Sequence, residues 1–344
     1  MRTVPIGKAG HRLDRMATVQ RITLGYNNVY AVEAPEGLLL VDAGPDYRGA
    51  RAAIEAAIGG RTPDIVAATH GHLDHAGLAH HWQARGAIVA LGRGDEHLSS
   101  HPALSLPGEF EQLATYVQEC GAPPEACMEA LHGLELRREW ATRAAARGPH
   151  PPPGREGRWP TGLHYQPFVP DVLAGDTGLP LPGGVRALLM PGHTPGNLVL
   201  ANQAEGWLFS GDTLLPDITP TPAIQASGVA GADWRFHSLP AFTGSLRRLL
   251  GLNLSRCFPG HGEPFDNVDE MARTNLAQIA GRSERVLGEL KAAGAETVYG
   301  LGERLYPRAV RRRFWQIVAT VQGHLDLLEV EGRAVEVGGR YEVA

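Results

Sequence analysis

Four side chains able to bind a metal ion fall within six residues of the stretch THGHLDH (69–75): His70, His72, Asp74 and His75. Imidazole and carboxylate donors suit Zn2+, Fe or Mn better than metals that prefer thiolate. In an extended segment His70, His72 and Asp74 share one side, because successive side chains alternate. His75 can join them only if the chain turns there into a helix. No single strand face offers all four groups to one ion, so the H-x-H-x-D-H spacing favours two adjacent metals. Three further donors recur downstream in a common setting: His193 after LLMPG, Asp212 after WLFSG and His261 after RCFPG. Each lies beside glycine, which lets backbone turn tightly and approach a site closely. Donors placed so alike are not a scatter of surface histidines.

Regular elements must carry these donors to one point. Residues 17–33 (ATVQRITLGYNNVYAVE) are rich in β-formers and GLLLVDAG (37–44) is a short apolar run, so both read as strands of one sheet. DYRGARAAIEAAIG (46–59) spaces Ala and Ile as a helix does and ends at Gly59-Gly60. DIVAATH (64–70) and AIVALG (87–92) are buried strands, and AGLAHHWQARG between them is a helix. The first donors therefore sit where a strand ends. After residue 96 the texture becomes helical (EFEQLATYVQECG, PEACMEALHGLELRREWATRAAARG) and then proline-rich over 147–162. Residues 97–165 are expected to form a helical insertion that covers the site mouth or joins copies of the chain as a homo-oligomer. Strands resume at 184–192, in a hairpin over 197–212 and at 255–262, with a helix at 243–253. From 267 the chain reads as helices that close in two short strands around Glu331-Gly332. This divides it into 1–266 and a winged-helix-like tail, 267–344.

Bulk properties exclude several classes. The 344 residues, 43% hydrophobic, can bury a sizeable core. A formal net charge of −5 argues against a surface built to hold polyanions. The basic run RAVRRRFWQ (308–316) sits in a segment, 300–344, where seven arginines face six acidic residues, so it reads as a solvated helix face. Three cysteines without a CxxC pair imply no disulfide framework and fit a reducing cytoplasm. No apolar run is long enough to span a bilayer, and the N-terminus lacks the apolar segment of a signal peptide. A cytoplasmic protein with a small-molecule substrate and no membrane partner is expected.

THGHLDH, PGHTPG, FSGDT and FPGHG, taken together, resemble the motifs of the metallo-β-lactamase-fold hydrolase superfamily, in order, over roughly 17–265 apart from the insertion. The resemblance implies an α/β fold, a four-layer αβ/βα sandwich with the site at one edge. It implies one metal on His70, His72 and His193, another on Asp74, His75 and His261, and Asp212 bridging them. VDAG matches the family's early strand-end aspartate, so Asp42 is implied to orient a ligand histidine. The tail resembles the winged-helix extension of one lactamase-like branch, and PGHTPGN resembles the thioester-cleaving glyoxalase II branch. The implied cofactors are two divalent ions, Zn2+ first, with Fe or Mn as alternatives. Such a pair, about 3.5–4 Å apart, lowers the pKa of a bridging water and polarises the bond under attack. Asp74 is the expected catalytic residue, accepting a hydrogen bond from the bridging hydroxide and passing on a proton. The family's β-lactamases do not usually have the bridging aspartate, so antibiotic hydrolysis is not the expected native task.

The expected reaction is hydrolysis of a small ester-type substrate, a thioester or lactone. One rival is a nuclease whose tail grips RNA or DNA; another is a persulfide-dioxygenase-like oxidoreductase with one iron on His70, His193 and Asp212. Substrate contacts are expected from Arg235 and His237 in ADWRFHSLPAF and from Tyr26, with Trp234 packing and Asn27 and Asn28 forming a turn. His80, His81, His97, His101 and His164 read as surface or packing residues. Cys120 and Cys127 read as helix-packing thiols.

Overall fold

The alternation in Gly37–Val41 sorts side chains to two faces, and the structure uses both. It is a computed structural model describing residues 17–47, 49–100, 108–147, 166–220, 222–227 and 233–344. The first sheet runs β1 (Thr18–Leu24), β2 (Asn27–Ala34), β3 (Gly37–Val41), β4 (Ile65–Ala67), β5 (Ile88–Gly92) and β6 (Val172–Ala174), antiparallel to β3 and parallel from there. Leu38, Leu40, Val66, Val89 and Leu91 face outward onto α1 (Ala50–Ala57) and α3 (Ala79–Ala84), where Ile54 and Trp82 are fully buried. Leu39, Val41, Ala67 and Ala90 face inward instead.

The inward set meets the second sheet, whose order is β12-β11-β10-β9-β8-β7: β7 (Leu179–Pro180), β8 (Arg186–Leu189), β9 (Leu198–Asn202), β10 (Trp207–Gly211), β11 (Arg256–Pro259) and β12 (Phe265–Asp266). Leu198, Leu200 and Phe209 fill the seam between the sheets, and the Tyr30 hydroxyl donates across it to the Pro259 carbonyl at 2.8 Å. Their neighbours Val199, Ala201 and Leu208 point the other way, onto α7 (Ser238–Leu249) and the start of α8 (Val268–Ala293). Period-two alternation in both sheets thus builds four layers, helix, sheet, sheet, helix. A short helix, α2 (Leu73–Ala76), lies at the strand ends.

Two regions lie outside the two facing sheets. The insertion contributes α4 (Glu96–Ser100), α5 (Glu109–Glu119) and α6 (Pro124–Arg147). Tyr116, Val117, Cys120, Ala126 and Ala130 pack on helices of the C-terminal region, so one face of α5 and α6 is part of this chain's own core. Most of the proline-rich connector, His101 and His164 lie outside the described residues. Beyond α8 the order is β13 (Ala295–Glu296), α9 (Val298–Leu305), α10 (Phe314–Val330), β14 (Ala334–Val337) and β15 (Arg340–Val343), with sheet order β13-β15-β14. The closing strands turn at Gly338-Gly339, both at positive φ, and not at Glu331-Gly332. Leu325, Leu327 and Leu328 are buried as part of α10, which carries the helix through LLEV. The helix α9 escaped the sequence reading because it contains Gly300 and Gly302; Gly302 lets Ile317 and Val310 approach closely. Among the described residues no helix is long and apolar enough to cross a membrane.

Candidate metal centre

The seven donors converge at one edge of the sandwich. Asp42 follows β3, His70 follows β4, His193 follows β8, Asp212 follows β10 and His261 follows β11. The chain turns after His72 into α2, where the His75 N–H donates to the His72 carbonyl at 3.0 Å, and this folds His75 back toward His70. Gly260 permits the last approach: a Cβ there would lie 2.7 Å from His75 Cε1 and 2.9 Å from Asp212 Oδ1. Three overlapping sets result, each with donor atoms within 4.8 Å of one another: His70, His72 and His193; His70, His75 and Asp212; Asp74, His75 and His261.

The donors crowd one another closely. His72 Nδ1 faces His70 Nε2 at 3.0 Å and His193 Nε2 at 3.1 Å. His75 Nε2 faces His261 Nε2 at 3.4 Å. A ring nitrogen is either a donor or an acceptor, so His72 Nδ1 makes a full hydrogen bond with at most one of its two neighbours. Asp212 Oδ1 is 3.3 Å from His261 Nε2 and 3.5 Å from His75 Nε2, yet it is a buried acceptor without a hydrogen bond. Unmet acceptors of this kind, all nitrogen and carboxylate oxygen, are what a divalent cation satisfies; the residues present fit the two-metal arrangement.

Protonation supports the fit. Burial, reinforced by neighbouring imidazoles, holds His70 well below the ordinary histidine value and His72 at about 3, and burial also lowers His193. Burial opposes ionisation of Asp74 and Asp212, but the adjacent histidines outweigh it and lower both carboxyls. Burial likewise works against charge on His75, and Asp74, Asp42 and Asp212 overcome it and raise the ring to about 10. Against its burial, His261 is likewise raised by Asp212. Neutral imidazole and ionised carboxylate are the forms that bind metal, so His75 and His261 must release a proton to do so.

Supporting contacts orient the donors. Asp42 is backed by a positive φ of 64°. Its Oδ2 lies 2.8 Å from His75 Nδ1 and its Oδ1 accepts from the Thr69 N–H at 2.7 Å, so His75 is the ring it orients. Thr69 Oγ1 meets His70 Nδ1 at 3.1 Å, and His261 Nδ1 donates to the Tyr26 carbonyl at 3.0 Å. Tyr26 stacks on His261, ring centroids 5.2 Å apart, and so borders the cluster. Asn27 and Asn28 are not turn residues; they open β2, and Asn27 Nδ2 donates to Asp74 Oδ2 at 3.3 Å.

The other expected contacts go elsewhere. Both ends of the Arg235 guanidinium bind the Asp326 carboxylate, at 2.5 and 2.9 Å, and His237 is 3.2 Å from Asp233 at the exposed start of α7. His81 pairs with Glu55, and His80 Nδ1 meets the Gly77 carbonyl. Sequence reasoning missed Gln225, whose Nε2 donates to the His193 carbonyl at 3.0 Å, and the fully buried Asp95. Burial pushes the Asp95 carboxyl up to about 6 against the pull of three donors. LGRGD offered a signal for it: one more aspartate after a glycine at a strand end.

Comparison with known proteins agrees with this geometry. A family model described as the metallo-beta-lactamase superfamily matches residues 22–261. A Bacillus subtilis (strain 168) protein named "Probable metallo-hydrolase YqjP" is 26% identical over 313 residues, 88% of this chain and 88% of its own length. An "Atrochrysone carboxyl ACP thioesterase" of Aspergillus fumigatus is 26% identical over 172 residues, 46% of this chain and 49% of that protein. Among solved structures, a metallo-beta-lactamase family protein from Thermus thermophilus matches with a TM-score of 0.68 at 24% identity, over 95% of this chain and 98% of that one.

Proposed function

The chain belongs to the metallo-beta-lactamase superfamily, and on that premise we propose that it is a hydrolase with two divalent metal ions, Zn2+ in the first place, that cleaves a small thioester or lactone. The observation that carries this reading is the meeting of the overlapping donor sets at one edge of the sandwich. His70, His72 and His193 would hold one ion, and Asp74, His75 and His261 the other. Asp212 would be shared, since its Oδ2 is 3.5 Å from His193 Nε2 while its Oδ1 faces His75 and His261. Ions bound there supply Lewis acidity toward an attacking water and toward the substrate carbonyl.

The chain's own residues supply the rest. Asp74 is the group placed to take a proton from the attacking water and hand it on; the Asn27 amide at its Oδ2 fixes the carboxylate's orientation. Asp42 holds His75 in one tautomer, with Nδ1 as donor and Nε2 turned to the cluster. The choice of thioester or lactone draws on the PGHTPG motif (191–196) followed by Asn197, and on the relative named as a thioesterase. Asp212 weighs against β-lactam hydrolysis as the native task. The net charge of −5 weighs against the nuclease reading. We place the activity in the cytoplasm.

Metal analysis and turnover test the reading together. Two ions per chain, and hydrolysis of an acyl thioester or lactone that a chelator abolishes and Zn2+ restores, are expected. A metal-loaded protein inert across thioester, lactone and phosphodiester panels would falsify it. A single iron with oxygen uptake would replace it with the oxygenase.

A further inference from the structure

Asp95 stands between β5 and α4 and is not a metal donor in any of the three sets. Its side chain is fully buried and makes three hydrogen bonds. The Gly71 N–H donates to Oδ2 at 2.9 Å, the Thr194 hydroxyl donates to the same oxygen at 2.7 Å, and the Gly196 N–H donates to Oδ1 at 2.6 Å. Gly71 lies between His70 and His72, and Thr194 follows His193. One carboxylate therefore holds the two loops that carry a single donor set, one from each sheet. The backbone is cleared for this contact. A Cβ on Gly196 would lie 2.5 Å from the Asp95 nitrogen, and one on Gly92 would overlap the Gly196 carbonyl oxygen.

We propose that Asp95 is a positioning residue that sets the separation of His72 and His193, and so governs the affinity of the His70, His72 and His193 site selectively. This rests on the two-metal reading above. Asp42 serves the other site, through His75, and the two carboxylates divide the work. Thr194 contributes one of the three bonds, and removing its hydroxyl weakens the clasp without breaking it. A ligand loop released from its outer hydrogen bonds loses roughly 10- to 100-fold in metal affinity.

The test titrates metal-free protein with Zn2+ against a chromophoric chelator, so that two stepwise affinities are read without any turnover assay. Wild type is expected to bind two ions. Asp95→Asn is expected to weaken one step about 10- to 100-fold and leave the other within about threefold. Thr194→Val, which keeps side-chain volume, is expected to weaken the same step by a smaller factor and guards against an Asp95 variant that fails to fold. Both steps unchanged in either folded variant, or both weakened equally alongside a lower melting temperature, overturns the positioning role. No binding by wild type would instead remove the metal reading itself, and the proposal with it.

Discussion

Two buried polar clusters in this molecule are built on opposite rules. At the sandwich edge, imidazoles point at imidazoles and Asp212 Oδ1 makes no hydrogen bond. Around Gln322 and Asp326 of α10, each group meets its complement. Tyr116 donates to Gln322 Oε1 at 2.9 Å, Gln322 Nε2 is 2.8 Å from both Asp326 Oδ1 and the Tyr341 hydroxyl, and Arg235 binds both oxygens of Asp326. The second cluster ties the loop before α7 to α5, α10 and β15. Buried polar groups cost free energy unless paired. A satisfied network therefore reads as architecture, and convergent metal-type donors left short of partners as a place prepared for something that is not protein.

Breaking each cluster should expose that difference. Asp212→Ala has the largest expected effect. A bound metal contributes several kcal/mol to a transition state, so turnover should fall about a thousandfold or more, with the metal content of the purified protein reduced. An unchanged metal content would show that Asp212 is not part of a metal site.

Next in size is Asp326→Ala, which strands the Arg235 guanidinium, 12% exposed, in the interior. A loss of about 3–5 kcal/mol in urea unfolding is expected. Replacing both partners with Leu and Met should recover most of it, since a matched apolar pair carries no uncompensated charge. A double variant as unstable as the single one would show that the pair itself, rather than its satisfaction, matters.

The smallest effect per measured step, one pH unit, belongs to the pH profile. Burial lowers His324 to about 3, and its Nδ1 meets Ser283 Oγ at 2.8 Å. Below the ordinary histidine value of about 6.5 the unfolded chain takes up a proton that the folded chain refuses. Stability is therefore lost as pH falls from there toward 3, by at most about 1.4 kcal/mol per pH unit. His324→Gln should flatten that part of the profile, measured as unfolding free energy from pH 6.5 to 4; a slope unaltered by the substitution would refute the assignment.

Much of this was legible before folding. Alternation in GLLLV and IVALG, the hairpin over 197–212 and the glycine beside each distal donor are local patterns, and local patterns fix which face a side chain takes. The helix α9 was hidden because glycine lowers helix propensity, and only packing against Ile317 and Val310 restores it. Arg235 looked like a substrate contact because it lies in a loop near the third motif; its partner Asp326 is 91 residues away.

Sequence alone determined the donors, their chemical types and their place at strand ends, since those follow from composition and from the period of a strand. Tertiary structure decided which donors meet, that Asp42 serves His75, that Asp95 joins two loops and that Arg235 is turned into the interior. The reason is physical: a strand's periodicity extends over a few residues, whereas His75 and His261 are 186 residues apart and come within 3.4 Å only when two sheets pack face to face.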